Sequence, residues 1–425
     1  MNEEILKALL DWNPWIEGVF PKELAGFNRK YELEEYLQIP EVKVLEGARR
    51  VGKSTLLYQL IEKLLEKNQS VLYINFEDEV LKNYTLNEIV ITFREKGVIQ
   101  NLFIDEIQNC KDWVSFIRKV YDRKEIPQIW ISGSNSSFIK KEFASLLTGR
   151  NITIKVYPLA FDEYLHFKSM EAKLPVSSHK ETAIKREFMQ YMEVGAFPAV
   201  VLRPVLQKEL LISYFEDFIY KDIAARHDVN LVKIKELGIY LATNSAKSFS
   251  YRGCASALGM HPQTIMDYCS YFYEIFLFSE LYKFDYSLKN QIGSDKKIYI
   301  TDTGLASSIS FRLSEDHGRI LENVVYNELR RRGHEIYFHK HKYECDFLIK
   351  RELKIAAALQ VTKTLRDPEV KQREIRGIAE AMQTYQLSEG LILTLDEEGS
   401  EEIAHENQKM HIRIMPTWKW LLSKD

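Results

Sequence analysis

The stretch Gly47-Ala48-Arg49-Arg50-Val51-Gly52-Lys53-Ser54-Thr55 constrains this chain more than any other. It fits G-x-x-x-x-G-K-[ST], with the apolar run Val42-Lys43-Val44-Leu45 before it and Leu56-Leu57-Tyr58-Gln59-Leu60-Ile61 after it. That context predicts a strand, a glycine loop and a helix. The glycines let the loop curl so that its backbone N–H groups point inward, and the helix aims its N-terminal donors at the same place. Residues 47–55 therefore form a candidate cradle for the phosphates of ATP. Lys53 is expected at the β- and γ-phosphates, and the Ser54 hydroxyl on Mg²⁺.

Downstream, apolar strands alternate with helices, the pattern of an α/β fold with a parallel sheet covered on both faces. The expected strands are 42–46, 70–76, 101–105, 128–133 and 152–157; together with the glycine loop they resemble an ASCE or AAA+-type P-loop domain, which implies the order 5-1-4-3-2. The third ends in Leu102-Phe103-Ile104-Asp105-Glu106, two carboxylates at the edge where open α/β sheets bind ligands. Asp105 is expected to hold Mg²⁺ through water, and Glu106 to orient or deprotonate the attacking water. The fourth ends in Ser132-Gly133-Ser134-Asn135-Ser136, which makes Ser134 or Asn135 a candidate to sense the γ-phosphate, a simple strand-to-loop turn being the alternative. Arg150, after Leu146-Leu147-Thr148-Gly149, is a candidate arginine finger acting across the interface of a homo-oligomer, or else a cation placed at a helix C-terminus. Arg29, ahead of the first strand, reads as a solvated helix charge, with an approach to the base or phosphates as the alternative.

These motifs resemble those of archaeal and bacterial AAA+-like ATPases that join an AAA_14-type ATPase domain to a C-terminal DUF4143 region. The resemblance runs through Ile104-Asp105-Glu106-Ile107-Gln108, Gly133-Ser134-Asn135-Ser136, Thr148-Gly149-Arg150 and Tyr157-Pro158-Leu159-Ala160-Phe161-Asp162-Glu163-Tyr164. It continues through Gly195-Ala196-Phe197-Pro198, Lys221-Asp222-Ile223 and Asp302-Thr303-Gly304-Leu305. It implies ATP binding more directly than any biological task.

At 425 residues the chain is about three times a typical single-domain length. The expected division is 1–160, the P-loop ATPase domain with an N-terminal helical extension; 161–230, a helical lid; 231–305, a winged helix; and 306–425, a further α/β domain. The lid is read from helices at 162–168, 183–194 and 204–227. The winged helix is read from a helix at 231–243, the segment Arg252-Gly253-Cys254-Ala255-Ser256-Ala257-Leu258-Gly259, and a second helix opening at Pro262. A hairpin from 276–282 and 297–300 follows. In such a unit the second helix would offer His261, Gln263 and Thr264 to DNA, with interdomain packing as the alternative use of the unit. The formal net charge of -3 excludes a uniformly basic nucleic-acid coat and leaves local basic faces open. One such face is Arg330, Arg331 and Arg332 with Lys340, a solvated helix end being the alternative.

From 321 the pattern reads helix 321–332, strands 335–339, 343–349 and 355–363, helix 369–384, and strand 390–395. This order is similar to a restriction-endonuclease-like core, and the resemblance implies Glu322 and Asp346 as metal carboxylates. Where such a core carries Asp/Glu-x-Lys, this chain has Gln360-Val361-Thr362. Gln360 can ligate through its carbonyl but supplies no charge, and on a period-2 strand Lys363 faces away from Gln360 unless a bulge intervenes. A degenerate scaffold is expected there, with an ATP-regulated metal-dependent nuclease as one alternative and an ATP-gated protein-interaction switch as another. The main expectation is ATP hydrolysis coupled to a conformational switch or remodelling step on nucleic acid.

The four cysteines have no metal-ligand spacing and read as reduced, buried thiols. No secretory signal and no long uncharged apolar window is visible, so a cytoplasmic protein away from membranes is expected.

Overall fold

The computed structural model describes residues 2–135, 149–310, 316–405 and 408–423. Ser136 and Leu146-Leu147-Thr148, quoted among the motifs, lie outside the described residues. The chain divides into two compact units, Met1–Tyr157 with Glu274–Phe276, and Pro158–Tyr273 with Leu277–Asp425.

The first unit is built on five parallel strands: β1 (Val42–Glu46), β2 (Val71–Asn75), β3 (Asn101–Asp105), β4 (Gln128–Gly133) and β5 (Asn151–Lys155). Their order is β2-β3-β4-β1-β5, which from the β5 edge reads 5-1-4-3-2. β1, β2 and β3 are buried at every position, as expected of apolar runs covered on both faces. Val44, Ile74, Ile104 and Ile131 share one core with Ile89, Trp113 and Ile117 of the helices Leu86–Arg94 and Trp113–Asp122. The exposed edge of β2 is closed by the N-terminal segment. Asn13 accepts from Tyr73 N at 2.7 Å and donates to Tyr73 O at 2.8 Å, imitating a neighbouring strand.

This strand order positions the site. β4 separates β1 from β3, so the loop after β1 and the carboxylates ending β3 stand on either side of the β4 terminus at one sheet edge. Gly47 is required at the start of that loop, since a Cβ there would lie 2.2 Å from Val156 O. Gly52 (φ 94°) supplies the left-handed turn into the helix Lys53–Glu66.

In the second unit the helices Phe161–Phe167, Ser178–Val194, Pro198–Leu202 and Gln207–Asp217 lead into a π-helical stretch, Phe218–Ala224. Leu231–Thr243, Tyr251–Leu258 and Pro262–Glu274 follow, with a three-stranded sheet of β6 (Ser248–Phe249), β7 (Phe278–Tyr282) and β8 (Lys296–Ile300) in the order β6-β8-β7. The helix His317–Arg331 precedes a six-stranded mixed sheet: β9 (Glu335–Lys340), β10 (Glu344–Arg351), β11 (Lys354–Val361), β12 (Glu389–Thr394), β13 (Gly399–His405) and β14 (Gln408–Pro416). Its order is β13-β14-β12-β11-β10-β9. The segment expected as a lid shares one core with this sheet. Phe161, Phe188 and Tyr191 belong to the same buried cluster as Tyr299, Tyr326, Phe347, Trp418 and Trp420. Among the described residues no helix is long and apolar enough to cross a membrane.

Candidate functional site

The helix Lys53–Glu66 begins after a glycine and has no side-chain cap, so its first backbone N–H groups remain available to an anion. Lys53 is buried and folds back over the loop, donating to Gly47 O at 2.9 Å and Ala48 O at 3.0 Å. Both acceptors are carbonyls that a phosphate oxygen can replace. Arg49 pairs with Glu77 at 2.7 Å. Arg50 and Gly52 carry the positive φ angles of the loop, and Ala48 and Val51 are buried in it.

Asp105 receives hydrogen bonds from the Ser54 and Ser132 hydroxyls and, at 2.7 Å, from Tyr73. Burial raises its pKa, Glu106 beside it acts in the same direction, and these three donors oppose both. The next residue is driven the other way. Burial disfavours the Glu106 carboxylate, but the Lys53 and Arg49 cations outweigh it and hold its pKa below the ordinary value. Two adjacent carboxylates are thereby set apart, the pKa of Asp105 raised and that of Glu106 lowered. Glu106 has φ 52°, a left-handed conformation that turns it off the strand, and its N–H donates to Ser132 Oγ at 3.2 Å.

Ser134 Oγ donates to Glu106 Oε2 at 3.2 Å, so this residue meets the carboxylate directly. Asn135 is buried at the same strand end. Arg150 pairs with Asp122 of its own chain, at 3.0 Å. Ser54 and Asp105, a hydroxyl and a carboxylate already in contact, suit Mg²⁺, which takes one or two protein oxygens and otherwise binds phosphate and water.

Several contributors escaped sequence reasoning. Tyr73 is an aromatic residue inside an apolar strand, and nothing in the pattern distinguishes it from core. Ser132 lies two residues before Ser134, and its position facing Asp105 follows only from pairing β4 beside β3. Arg29 is not a solvated charge. It is 7% exposed and donates to Val51 O at 2.7 Å and Tyr157 O at 3.0 Å, fastening the phosphate loop to the end of the sheet.

In the second unit Glu322, Asp346 and Gln360 line one cavity of about 760 Å³. The cation between the carboxylates is Lys297, from β8. Its Nζ lies 2.9 Å from Glu322, 2.9 Å from Glu344 and 2.8 Å from Asp346. Burial opposes the lysine's charge, but Asp346 and Glu322 outweigh it and raise its pKa well above the ordinary value. Burial and the neighbouring Asp346 push Glu322 up to about 7. Gln360 turns away from a ligand role, accepting from Asp346 N at 3.2 Å and donating to Glu374 at 2.6 Å. Among the described residues no group of three His, Cys, Asp or Glu is arranged to hold a metal ion. In this arrangement the cluster does not fit a divalent ion, because an ammonium already bridges the carboxylates. Lys363 does line the cavity, since β11 ends at Val361 and strand alternation stops there. Among the described residues pairing is irregular between Cys345 and Leu348 where β10 meets β9 and between Ile349 and Lys350 where β10 meets β11, neither of them at Lys363.

The expected basic face is largely consumed within the unit. Arg331 bonds Glu328 at 3.0 Å and Pro158 O at 2.8 Å. Arg332 bonds Glu328 at 2.8 Å and Trp420 O at 3.0 Å, and lies over the Trp420 ring. Arg330 bonds Tyr326. Lys340, half exposed, pairs with Glu344 at 3.2 Å. On the helix Pro262–Glu274, Gln263 is exposed but donates to Asp267 at 2.9 Å, His261 Nδ1 accepts from Gln263 N, and Thr264 is half-buried.

Residues 40–165 match the AAA_14 family model, described as an AAA domain, so the first unit is a P-loop domain suited to binding ATP. Residues 185–316 match a domain of unknown function, DUF8612. This chain is 34% identical over 422 residues to Uncharacterized protein MJ1544 of Methanocaldococcus jannaschii, covering 95% of this chain and 92% of that one. It belongs to the family of that archaeal protein. A Haemophilus influenzae protein is 28% identical over 349 residues, covering 77% of this chain and 84% of its own. AMPPCP-bound DnaA from Aquifex aeolicus aligns with 60% of this chain and 93% of its own at 14% identity. The TM-score of that alignment is 0.29.

The DUF8612 match corrects the expected DUF4143 region, and the restriction-endonuclease-like designation is withdrawn with it. The structure shows why the short motifs misled. Gly195-Ala196 and Asp302-Thr303-Gly304 meet in one packing joint, where Asp302 accepts from Ala196 N at 2.6 Å and caps its own helix through Leu305 N at 2.9 Å. Such a joint records local geometry and does not distinguish one domain family from another.

Proposed function

We propose that this chain binds ATP with Mg²⁺ and hydrolyses it, and that the cycle drives a conformational switch or remodelling step on nucleic acid. One observation carries the hydrolytic reading: Glu106 is held ionised next to Asp105, which in turn contacts Ser54 at the mouth of an uncapped helix N-terminus. Mg²⁺, held by Ser54 and Asp105, would neutralise phosphate charge there. Lys53 exchanges its two loop carbonyls for phosphate oxygens. A water attacks the γ-phosphorus, its proton goes to Glu106, and ADP leaves as the bond to the bridging oxygen breaks.

Nucleic acid is supported as the partner by the paired helices Tyr251–Leu258 and Pro262–Glu274 beside β6, β7 and β8, the element order of a winged helix. The internal bonding of Arg331 and Arg332 favours a second reading, an ATP-gated switch acting on another protein. The test measures ATP binding by calorimetry and phosphate release, each with and without single-stranded and duplex DNA. Lys53→Ala should weaken binding and stop turnover, whereas Glu106→Gln should bind ATP normally and stall. Unchanged turnover in Glu106→Gln refutes the hydrolytic assignment. A rate indifferent to DNA at low salt removes nucleic acid and leaves the protein-partner reading.

A further inference from the structure

Gln108 follows the β3 carboxylates by two residues, in the turn Ile107–Asn109. Its side-chain amide has a fixed orientation. Nε2 donates to Glu106 Oε2 and, at 3.2 Å, reaches Ser134 Oγ, which itself bonds Glu106. Turning the amide over would set its oxygen against the ionised carboxylate, so the network selects this orientation. The consequence falls on the other end of the amide: Oε1 is buried and has no hydrogen-bond partner among the described residues. A buried acceptor without a donor is costly, on the order of 1–3 kcal/mol, and this one stands one side chain away from the candidate base.

The chemistry of hydrolysis supplies a suitable donor. An attacking water has two O–H bonds and needs a lone pair directed at phosphorus. Two neighbouring acceptors, one of them basic, would take both O–H bonds and leave that lone pair outward. Resting on the ATPase reading above, we infer that Gln108 is a water-positioning residue: Oε1 accepts one proton of the attacking water while Glu106 accepts and removes the other. In the step itself oxygen bonds to the γ-phosphorus, the bond to the bridging oxygen breaks, ADP departs, and the proton transferred resides on Glu106. Gln108 exchanges no proton. Through Nε2 it also keeps the Glu106 carboxylate aimed, so one side chain sets both the base and the nucleophile.

The experiment compares wild type, Gln108→Ala and Gln108→Glu, with Lys53→Ala and Glu106→Gln as references. It measures phosphate release across pH, KM for ATP, the Kd of a non-hydrolysable ATP analogue, and thermal unfolding. Gln108→Ala should lower kcat on the order of 10²-fold, with KM and Kd within about twofold of wild type. Gln108→Glu has nearly the same shape and survives as a test if the alanine variant does not fold. It adds a carboxylate beside Glu106, which also faces Asp105, Lys53 and Arg49. The acid limb of its kcat profile should move up by roughly one pH unit, which a merely structural role would not produce.

Turnover within twofold of wild type in both variants, while Glu106→Gln stalls, overturns this inference alone. Equal losses in kcat and in analogue affinity overturn it too, because they mark Gln108 as a structural support. Wild type that binds ATP and releases no phosphate overturns the hydrolytic reading and this inference together.

Discussion

Removing the lysine buried among carboxylates tests the electrostatics of the second unit most directly. Lys297→Met keeps the aliphatic stem and deletes a cation within 2.9 Å of Glu322, Glu344 and Asp346. Breaking such a buried group by removing one partner typically costs about 3–5 kcal/mol. Proton uptake sets an independent ceiling. Glu322, already raised to about 7, takes up its proton at little cost once the ammonium is gone; a further carboxylate must then become neutral, and protonating an aspartate at pH 7 from an ordinary pKa near 3.9 costs about 4 kcal/mol. The two routes agree. The ceiling drops by about 1.4 kcal/mol per pH unit for each proton taken up, so the deficit should shrink to about 1–2 kcal/mol at pH 5. Because the chain has two compact units, a single unfolding free energy is not well defined, and hydrogen exchange in β8 and β10 is the suitable measurement. Lys297→Met/Asp346→Asn should recover most of the loss at pH 7, since it removes the stranded charge. A deficit under about 1 kcal/mol at pH 7, or one that does not change between pH 5 and 7, would refute the reasoning.

Two further outcomes follow from buried geometry. Burial raises Asp302 to about 6 from 3.8, against the N–H donors of Ala196, Leu305 and Gly304. A carboxyl raised in the folded state favours folding while protonated, so its contribution is present at low pH and is lost as pH climbs from about 4 to about 6. Asp302→Asn should flatten that slope, by up to about 3 kcal/mol, in denaturation of the second unit followed by exchange of the 303–309 helix. Gly47→Ala would set a Cβ 2.2 Å from Val156 O. It should leave the core packing of β1, β2 and β3 intact by circular dichroism but weaken ATP-analogue binding at least about tenfold, since the loop must shift to admit the methyl group. Wild-type affinity in that variant would show that the loop is not held against the end of β5.

The first unit was readable because its signals are local. Apolar runs gave β1 to β4 within a residue of their observed ends, and the glycine pattern placed the loop because Gly47 and Gly52 answer to backbone geometry. Asp105 and Glu106 were found because a strand that is otherwise apolar ends in two charges. In the second unit, β13 and β14 went unread although Met410, Ile412 and Ile414 alternate and are buried. Segment 404–416 is rich in His, Lys and Arg, and the alternation is short. Trp418 and Trp420, at the end of the chain, pack into the main core of that unit.

What the sequence alone determined is therefore the phosphate loop, the acidic strand end, and the alternation that makes a parallel sheet. Each depends on residues within a few positions of one another. Tertiary structure decided the rest by bringing distant side chains into contact. Arg29 reaches Val51 and Tyr157, Tyr73 and Ser132 reach Asp105, and Lys297 reaches Glu322 and Asp346 across 25 and 49 positions of chain. Charges that looked solvent-facing, Arg331 and Arg332 among them, are used internally because helix ends and strand edges present carbonyls and carboxylates that a one-dimensional pattern does not display. A side chain's partner is fixed by where the backbone carries it, and for a buried ion that partner determines whether it binds a ligand or another residue of the same protein.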